Sequence, residues 1–368
     1  MHKSKNIIIS AAECFSSSDR TGSVFTGFDG FIDNILRPVK NRHDSNNFEP
    51  FNDIETFSER IFSGAGKSIN IEIVKERSSM GGNGPIMANS LSLLGNSTDI
   101  VGAFGQDEIL PVFRPFTDRC RTALTLCEPG ITDAFEFNDG KVMFNYPQNV
   151  LDISWDLITG IVGIERLKDM IVSNDYLALV NWTMIPQMNG IFSKLTELLS
   201  GIAGRKTVYI DLTDPKKRSR EDLKLCMDRL LEINGHADVI LGLNESEAAQ
   251  CAAVTGAQTA EADIKELAEN IHKVLPLRAV VIHSIKQAAV CADEGSFLVN
   301  GPYTPEPKLS TGAGDVFNAG FYSGYIAGLN LEQCLVTGVC NSGYYVRNTK
   351  PADKRELIEF MKAFAEET

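Results

Sequence analysis

Residues 310–321 read STGAGDVFNAGF, a glycine turn followed at once by an aspartate and then by small and apolar residues that continue through YSGYIAGL. The spacing predicts a helix that opens on Thr311-Gly312-Ala313-Gly314-Asp315. In the first turn of a helix the backbone N–H groups lack intrahelical partners, and the helix dipole favours negative charge there. A phosphoryl group in transit could be held in that place by main chain alone. A carboxylate beside bound phosphate is electrostatically costly unless it has chemical work. For Asp315 that work is accepting the proton of a hydroxyl as it attacks phosphorus. The alternative is an aspartate that only caps a helix beside a glycine turn.

A second glycine stretch, SGAGKSIN at 63–70, ends like a P-loop. That motif needs a further glycine where Ile61 stands, and it must open a helix. Here SINIEIV at 68–74 alternates apolar and polar residues, so the expectation is a turn entering a strand with one wet face.

With 368 residues, 43% hydrophobic and 23% charged, the chain has the composition of a protein that buries a full core. A formal net charge of -13 argues against a general nucleic-acid or membrane-surface role, because both need a basic face. No apolar run is long enough to span a bilayer, and MHKSKNIIISAAECF lacks the features of a signal peptide. The expectation is a cytoplasmic protein. The eight cysteines are scattered without a C-x-x-C pair, as expected of reduced thiols rather than a zinc site.

Short β-branched runs at 176–181, 207–212, 238–243 and 279–285 read as strands buried on both faces. Helical periodicity fills 187–202, 219–234 and 244–274 between them and closes the chain at 313–328, 331–347 and 352–366. This alternation predicts a mainly parallel sheet with helices on both sides. AFEFNDGKVMFN at 134–145 predicts a β-hairpin turning at Asn-Asp-Gly.

The 310–321 stretch resembles the Gly-Ala-Gly-Asp signature of the ribokinase, or PfkB, carbohydrate kinases. Further family motifs are similar to GFDGFIDNI at 27–35, GGNGPIMANSLSLLG at 81–95, VGAFGQD at 101–107 and LNESEA at 243–248. They occur in the family's order, and the resemblance spans residues 24–350. It implies one α/β domain over 1–368: a three-layer α/β/α ribokinase-like fold with a small β-sheet lid, the lid lying within 36–80 and 120–146. The implied activity is ATP-dependent, Mg²⁺-requiring phosphorylation of a hydroxyl on a sugar or sugar derivative. A nucleoside kinase and a catalytically silent sugar-binding or regulatory protein are the alternatives on the same fold. A homodimer through the lid is a further expectation.

Carried over by position, the resemblance makes Asp315 the base and Gly312, Ala313 and Gly314 the anion hole. Asp33 would bond sugar hydroxyls, with Asp29 on the same turn sharing the task, and Gly81, Gly82 and Asn83 would line the acceptor pocket. Asn244, Ser284, Thr311 and Asn341 would face the nucleotide, while Asn244 and Glu247 would organise Mg²⁺ through water. Plain helix capping by Asn244 is the other reading of that pair. Asp211, Asp214 and Lys216 are candidates to approach the phosphates, and Trp182 to stack on a ligand or to be buried. The chain departs from the family at Ile86, where an Asn is usual and Asn89 follows one turn later, and at His283, Ile285 and Ala288. His283 reads as a core histidine satisfied by hydrogen bonds. At Leu309 the aspartate of cation-activated relatives is missing, so potassium activation is not expected.

Overall fold

The computed structural model describes residues 2–259 and 262–368. Its strands in chain order begin with β1 (Ser23–Phe28), β2 (Phe31–Arg42), β3 (Phe48–Pro50), β4 (Ile73–Gly81), β5 (Ser97–Gly102), β6 (Thr122–Thr125) and β7 (Gly130–Phe137). They continue with β8 (Gly140–Tyr146), β9 (Tyr176–Leu179), β10 (Thr207–Asp211), β11 (Asp238–Asn244), β12 (Ala279–His283), β13 (Gln287–Ala292) and β14 (Gly295–Asn300). The β-branched apolar runs form the middle of a nine-stranded sheet in the order β14-β13-β12-β11-β10-β9-β1-β5-β6. From β6 to β12 every pair is parallel, and the β13–β14 hairpin adds an antiparallel edge.

Side chains alternate across the sheet and feed two cores. Phe25, Leu177, Val208 and Ile210 pack with helices such as Met188–Ser200 and Arg220–Asn234 on one side. Val24, Ala178 and Tyr209 pack on the other with the helices Asn83–Leu93, Ala313–Ile326, Leu331–Asn348 and Lys354–Glu367. The result is the expected three-layer arrangement. The N-terminal helix His2–Ser17, which apolar periodicity did not single out, joins the second layer through Ile8, Ala11, Ala12 and Phe15. No described helix is long and apolar enough to cross a membrane. The helical periodicity of 244–274 resolves into two helices, Glu245–Thr255 and Ile264–Val274.

A five-stranded second sheet is built from β2, β3, β4, β7 and β8. One face presents Asp33 and Ile35 of β2, Arg77 and Ser79 of β4, Thr132 and Ala134 of β7, and Lys141, Met143 and Asn145 of β8 to a cavity. The opposite face packs Leu36, Phe135 and Phe137 against Phe51 and Phe57, the latter from the helix Ile54–Phe62. This sheet differs from expectation in three details. It starts at Phe31 rather than 36, Thr122–Thr125 pairs with β5 in the large sheet, and the strand expected at 68–74 lies at Ile73–Gly81. Residues 68–72 lie outside the strand, with one bond from Val39 N–H to Glu72 O at 2.9 Å, whereas β4 pairs with β2 from Phe31 to Pro38. Pairing therefore overrides the alternation of SINIEIV and recruits the polar run KERSS into a largely exposed strand. SGAGKSIN follows the Ile54–Phe62 helix as a turn with Lys67 exposed. It opens no helix, so the P-loop geometry is absent from it.

Candidate active site

The carboxyl ends of β9, β10, β11 and β12 converge on the start of the Ala313–Ile326 helix, and two cavities meet there. Ligands of open α/β sheets bind at this edge because loops and helix N-termini gather there. Gly312 is the N-cap of that helix with φ 82°, in the left-handed region, and a Cβ on it would come within 2.9 Å of Ile86 Cδ1. Only glycine makes this turn without strain. Tyr345 Oη braces the turn by donating to Thr311 O at 2.8 Å.

The turn forms the wall between the cavities. Ala313 and Gly314 face one of about 450 Å³, together with Asn244, His283 and Ser284. Thr311, Gly312 and Asp315 face the other, of about 500 Å³, with Asp33, Gly82, Asn83 and Asn89. Ala313 N–H turns back to Ser310 O at 3.2 Å, so this member of the expected anion hole is already engaged.

Asp315 is 6% exposed, and Asn83 Nδ2 donates to its Oδ1 at 2.8 Å. Burial raises its pKa well above the ordinary carboxylate value, and buried Asp211 raises it further; the Asn83 bond pulls the other way, and Asp29 again raises it. Burial also raises Asp211, which accepts from Asn318 Nδ2 and Thr213 N, each at 2.8 Å. Glu247 is pushed up to about 9, first by burial and then by Asp211. Its carboxylate accepts from Asn244 N–H at 2.8 Å and Asn244 Nδ2 at 2.6 Å, while Asn244 Oδ1 accepts from Glu247 N–H at 3.0 Å. This reciprocal capping box is the capping reading of the pair, with Glu247 buried rather than solvated.

Four expected contacts are corrected. Asp29 is fully buried and spends its oxygens on Asn83 N–H, Gly84 N–H and Asn181 Nδ2, so it faces no cavity. Gly81 also lies behind the cavity wall; a Cβ there would fall 2.5 Å from Asp33 Oδ2, so its absence makes room for the Asp33 carboxylate. Thr311 faces the 500 Å³ cavity with Asp315 rather than the one with Asn244 and Ser284, because the wall turns between it and Ala313. Asn341 is fully buried between helices, where its Nδ2 donates to Val316 O and Ser90 Oγ. Trp182 is likewise buried, its Nε1 donating to Asn189 and Arg218 stacked 3.9 Å from its ring. His283 is not a hydrogen-bonded core residue: it lines the 450 Å³ cavity with its ring 4.8 Å from Phe317, and burial lowers its pKa to about 4, leaving it neutral.

The sequence reading missed Arg77, Lys141, Asn145, Asn181 and Tyr345, which line the 500 Å³ cavity with Lys217. The lid residues were detectable in principle, since alternate positions of the 134–145 hairpin must share a face. Arg119 bonds Asn89 and fixes it in the same wall.

A glycine helix start thus separates two cavities, with a buried aspartate on one side. The chain matches the prokaryotic ketohexokinase family over residues 2–364. It belongs to that family. Like this family's name, its similarity to known proteins points to sugar phosphorylation. A ketohexokinase of Haloferax volcanii is 26% identical over 349 residues, covering 93% of this chain and 92% of the relative. Two solved structures share the fold at a TM-score of 0.64. A carbohydrate kinase from Agrobacterium tumefaciens is 15% identical and covers 94% of this chain and 97% of its own. Arabidopsis thaliana ribokinase, complexed with ribose and ATP, is 16% identical and covers 93% and 99%. The prokaryotic ketohexokinase family member described here is an ATP-dependent sugar kinase of ribokinase-like fold.

Proposed function

We propose that this kinase phosphorylates a ketohexose, with Asp315 as the base and the Gly312–Gly314 turn as the anion site. The observation that carries the reading is the position of that turn: its Asp315 side borders one cavity and its Gly314 side the other. ATP would occupy the cavity bordered by Asn244, His283 and Ser284, and the sugar the cavity bordered by Asp33, Asn83 and Asn89. The sugar hydroxyl gives its proton to Asp315 as its oxygen bonds to the γ-phosphorus, and the bond to the β-phosphate oxygen breaks with ADP leaving. The backbone N–H groups of Gly312 and Gly314, which have no hydrogen-bond partner among the described residues, would stabilise the charge on the transferring group.

The donor set also fits a hard divalent cation. Asp211 raises the pKa of both Glu247 and Asp315, and Asp315 also raises that of Glu247; bound positive charge would relieve that repulsion. Among the described residues no three acidic, imidazole or thiol groups converge to hold a metal directly, so Glu247 and Asp211 would hold Mg²⁺ through water. When bound with ATP, Mg²⁺ would neutralise phosphate charge. The same reading places the enzyme in the cytoplasm, where ATP is available, and as a homodimer joined through the outer face of the lid.

The test is an ADP-coupled assay over ketohexoses, aldoses, ribose and nucleosides, with and without Mg²⁺. Fructose or another ketohexose is expected to give the highest kcat/KM. Asp315→Asn is expected to retain ligand binding and lose about 10²- to 10⁴-fold in kcat. A preference for adenosine would overturn the acceptor, and wild-type turnover in Asp315→Asn would overturn the base.

A further inference from the structure

Asp29 occupies the short connection between β1, in the large sheet, and β2, in the lid. Gly82 is the only residue between β4, in the lid, and the Asn83–Leu93 helix, in the body. One buried carboxylate thus sits where the chain leaves the body and touches the place where it returns. Asn83 N–H donates to Asp29 Oδ2 and Gly84 N–H to Oδ1, both at 2.8 Å, and Asn181 Nδ2 donates to Oδ2 at 2.6 Å. The N-cap of that helix is Gly82, which has no side chain to bond the free N–H groups of the first turn. Asp29, more than fifty positions earlier in the chain, supplies that bond from outside the helix.

The glycines follow from this contact. A Cβ on Gly84 would lie 2.7 Å from Asp29 Oδ1, and one on Gly82 3.0 Å from Oδ2, with Gly82 also at φ 95°. Asn83, whose backbone is clamped here, carries the amide that donates to Asp315 Oδ1 at 2.8 Å. An unbroken series of hydrogen bonds therefore runs from Asn181 through Asp29 and Asn83 to Asp315.

We propose that Asp29 is a positioning residue for phosphoryl transfer: it acts as a remote N-cap that fixes Asn83, and through Asn83 it aims the Asp315 carboxylate. The inference rests on the reading of Asp315 as the base. Asp29 binds no sugar, so its loss reduces kcat while leaving the sugar KM nearly unchanged.

The experiment is a double-mutant cycle on kcat with Asp29→Asn, Asn83→Ala and the pair, with Asp315→Asn as reference and thermal unfolding measured for each. Asp29→Asn is expected to lower kcat on the order of tenfold or more, as a small misplacement of a catalytic group does. The double variant is expected to turn over no more slowly than Asn83→Ala alone, because both lie in one series. Should Asp29→Asn fail to fold, Gly84→Ala keeps the test open: its Cβ displaces the carboxylate without removing it and is expected to give the same kcat-selective loss. Wild-type kcat in both Asp29→Asn and Gly84→Ala, multiplying effects in the double variant, or a rise in sugar KM at constant kcat would each overturn the proposal. If Asp315→Asn turns over normally, the base reading itself fails; if Asp315→Asn is inactive while Asp29→Asn is normal, only the Asp29 role fails.

Discussion

At the scale of residues, Asp315 is defined by what surrounds it more than by its place in a motif. Burial and Asp211 raise its pKa, and the bond from Asn83 opposes them. A base must be ionised to accept a proton, so activity is lost as pH falls through its pKa, and a raised pKa brings that loss above the usual carboxylate range. Asn83→Ala removes the opposing bond and is expected to move the acid limb of kcat/KM to higher pH. A pH–rate profile of wild type and variant checks this, and an unmoved or downward-shifted limb would exclude Asn83 as the group that tunes the base. The sequence singled out Asp315 and Asp33 because each stands in a local motif. It misread Asp29, because two carboxylates four residues apart on one turn look alike until burial separates them. Asp33 borders the 500 Å³ cavity, whereas Asp29 is enclosed by N–H donors.

At the scale of elements, the site depends on two helix starts without capping side chains. The Ala313–Ile326 helix opens on Gly312 and the Asn83–Leu93 helix on Gly82, both at positive φ. In each case glycine allows the positive φ and a close approach that a Cβ would crowd, to Ile86 Cδ1 for Gly312 and to Asp29 Oδ2 for Gly82. Gly312→Ala is expected to destabilise the protein by about 1–2 kcal/mol, the cost of a left-handed alanine, before any clash with Ile86 is added. The same substitution is expected to lower kcat, because the turn is the proposed anion site. Thermal unfolding and steady-state kinetics measure the two effects; an alanine variant with wild-type values of both would show the turn to be tolerant. The parallel strands β9 to β12 were legible because β-branched runs buried on both faces have no other stable place. β4 was not, since its residues are largely exposed and its strand state comes from pairing with β2.

At the scale of the molecule, the lid has one face toward the acceptor cavity and one turned outward. The Ile54–Phe62 helix covers part of the outer face through Phe57, and Ile131, Phe144 and Tyr146 remain exposed beside it. Ile131 pairs with Tyr146 across β7 and β8, which makes these side chains neighbours. If the dimer forms through this strip, the wild type is expected to have twice the chain mass by light scattering, and Tyr146→Glu to be monomeric. A wild-type monomer at assay concentrations would remove the dimer while leaving the active site untouched.

The sequence by itself determined the layered α/β architecture and, through its resemblance to known carbohydrate kinases, the kinase activity. Strand periodicity and glycine helix starts are local properties that survive without knowledge of the fold. Only the tertiary structure decided which polar groups touch solvent and which touch each other. It took Asp29 and Asn341 away from both cavities, placed Thr311 on the cavity that Asp315 borders, and brought Arg77, Lys141 and Asn145 into that cavity from strands distant in the chain. The physical reason is that a carboxylate or amide has the same local signature whether it binds a ligand or satisfies buried N–H groups. Burial and partners separate the two, and both are set by contacts between segments far apart in sequence.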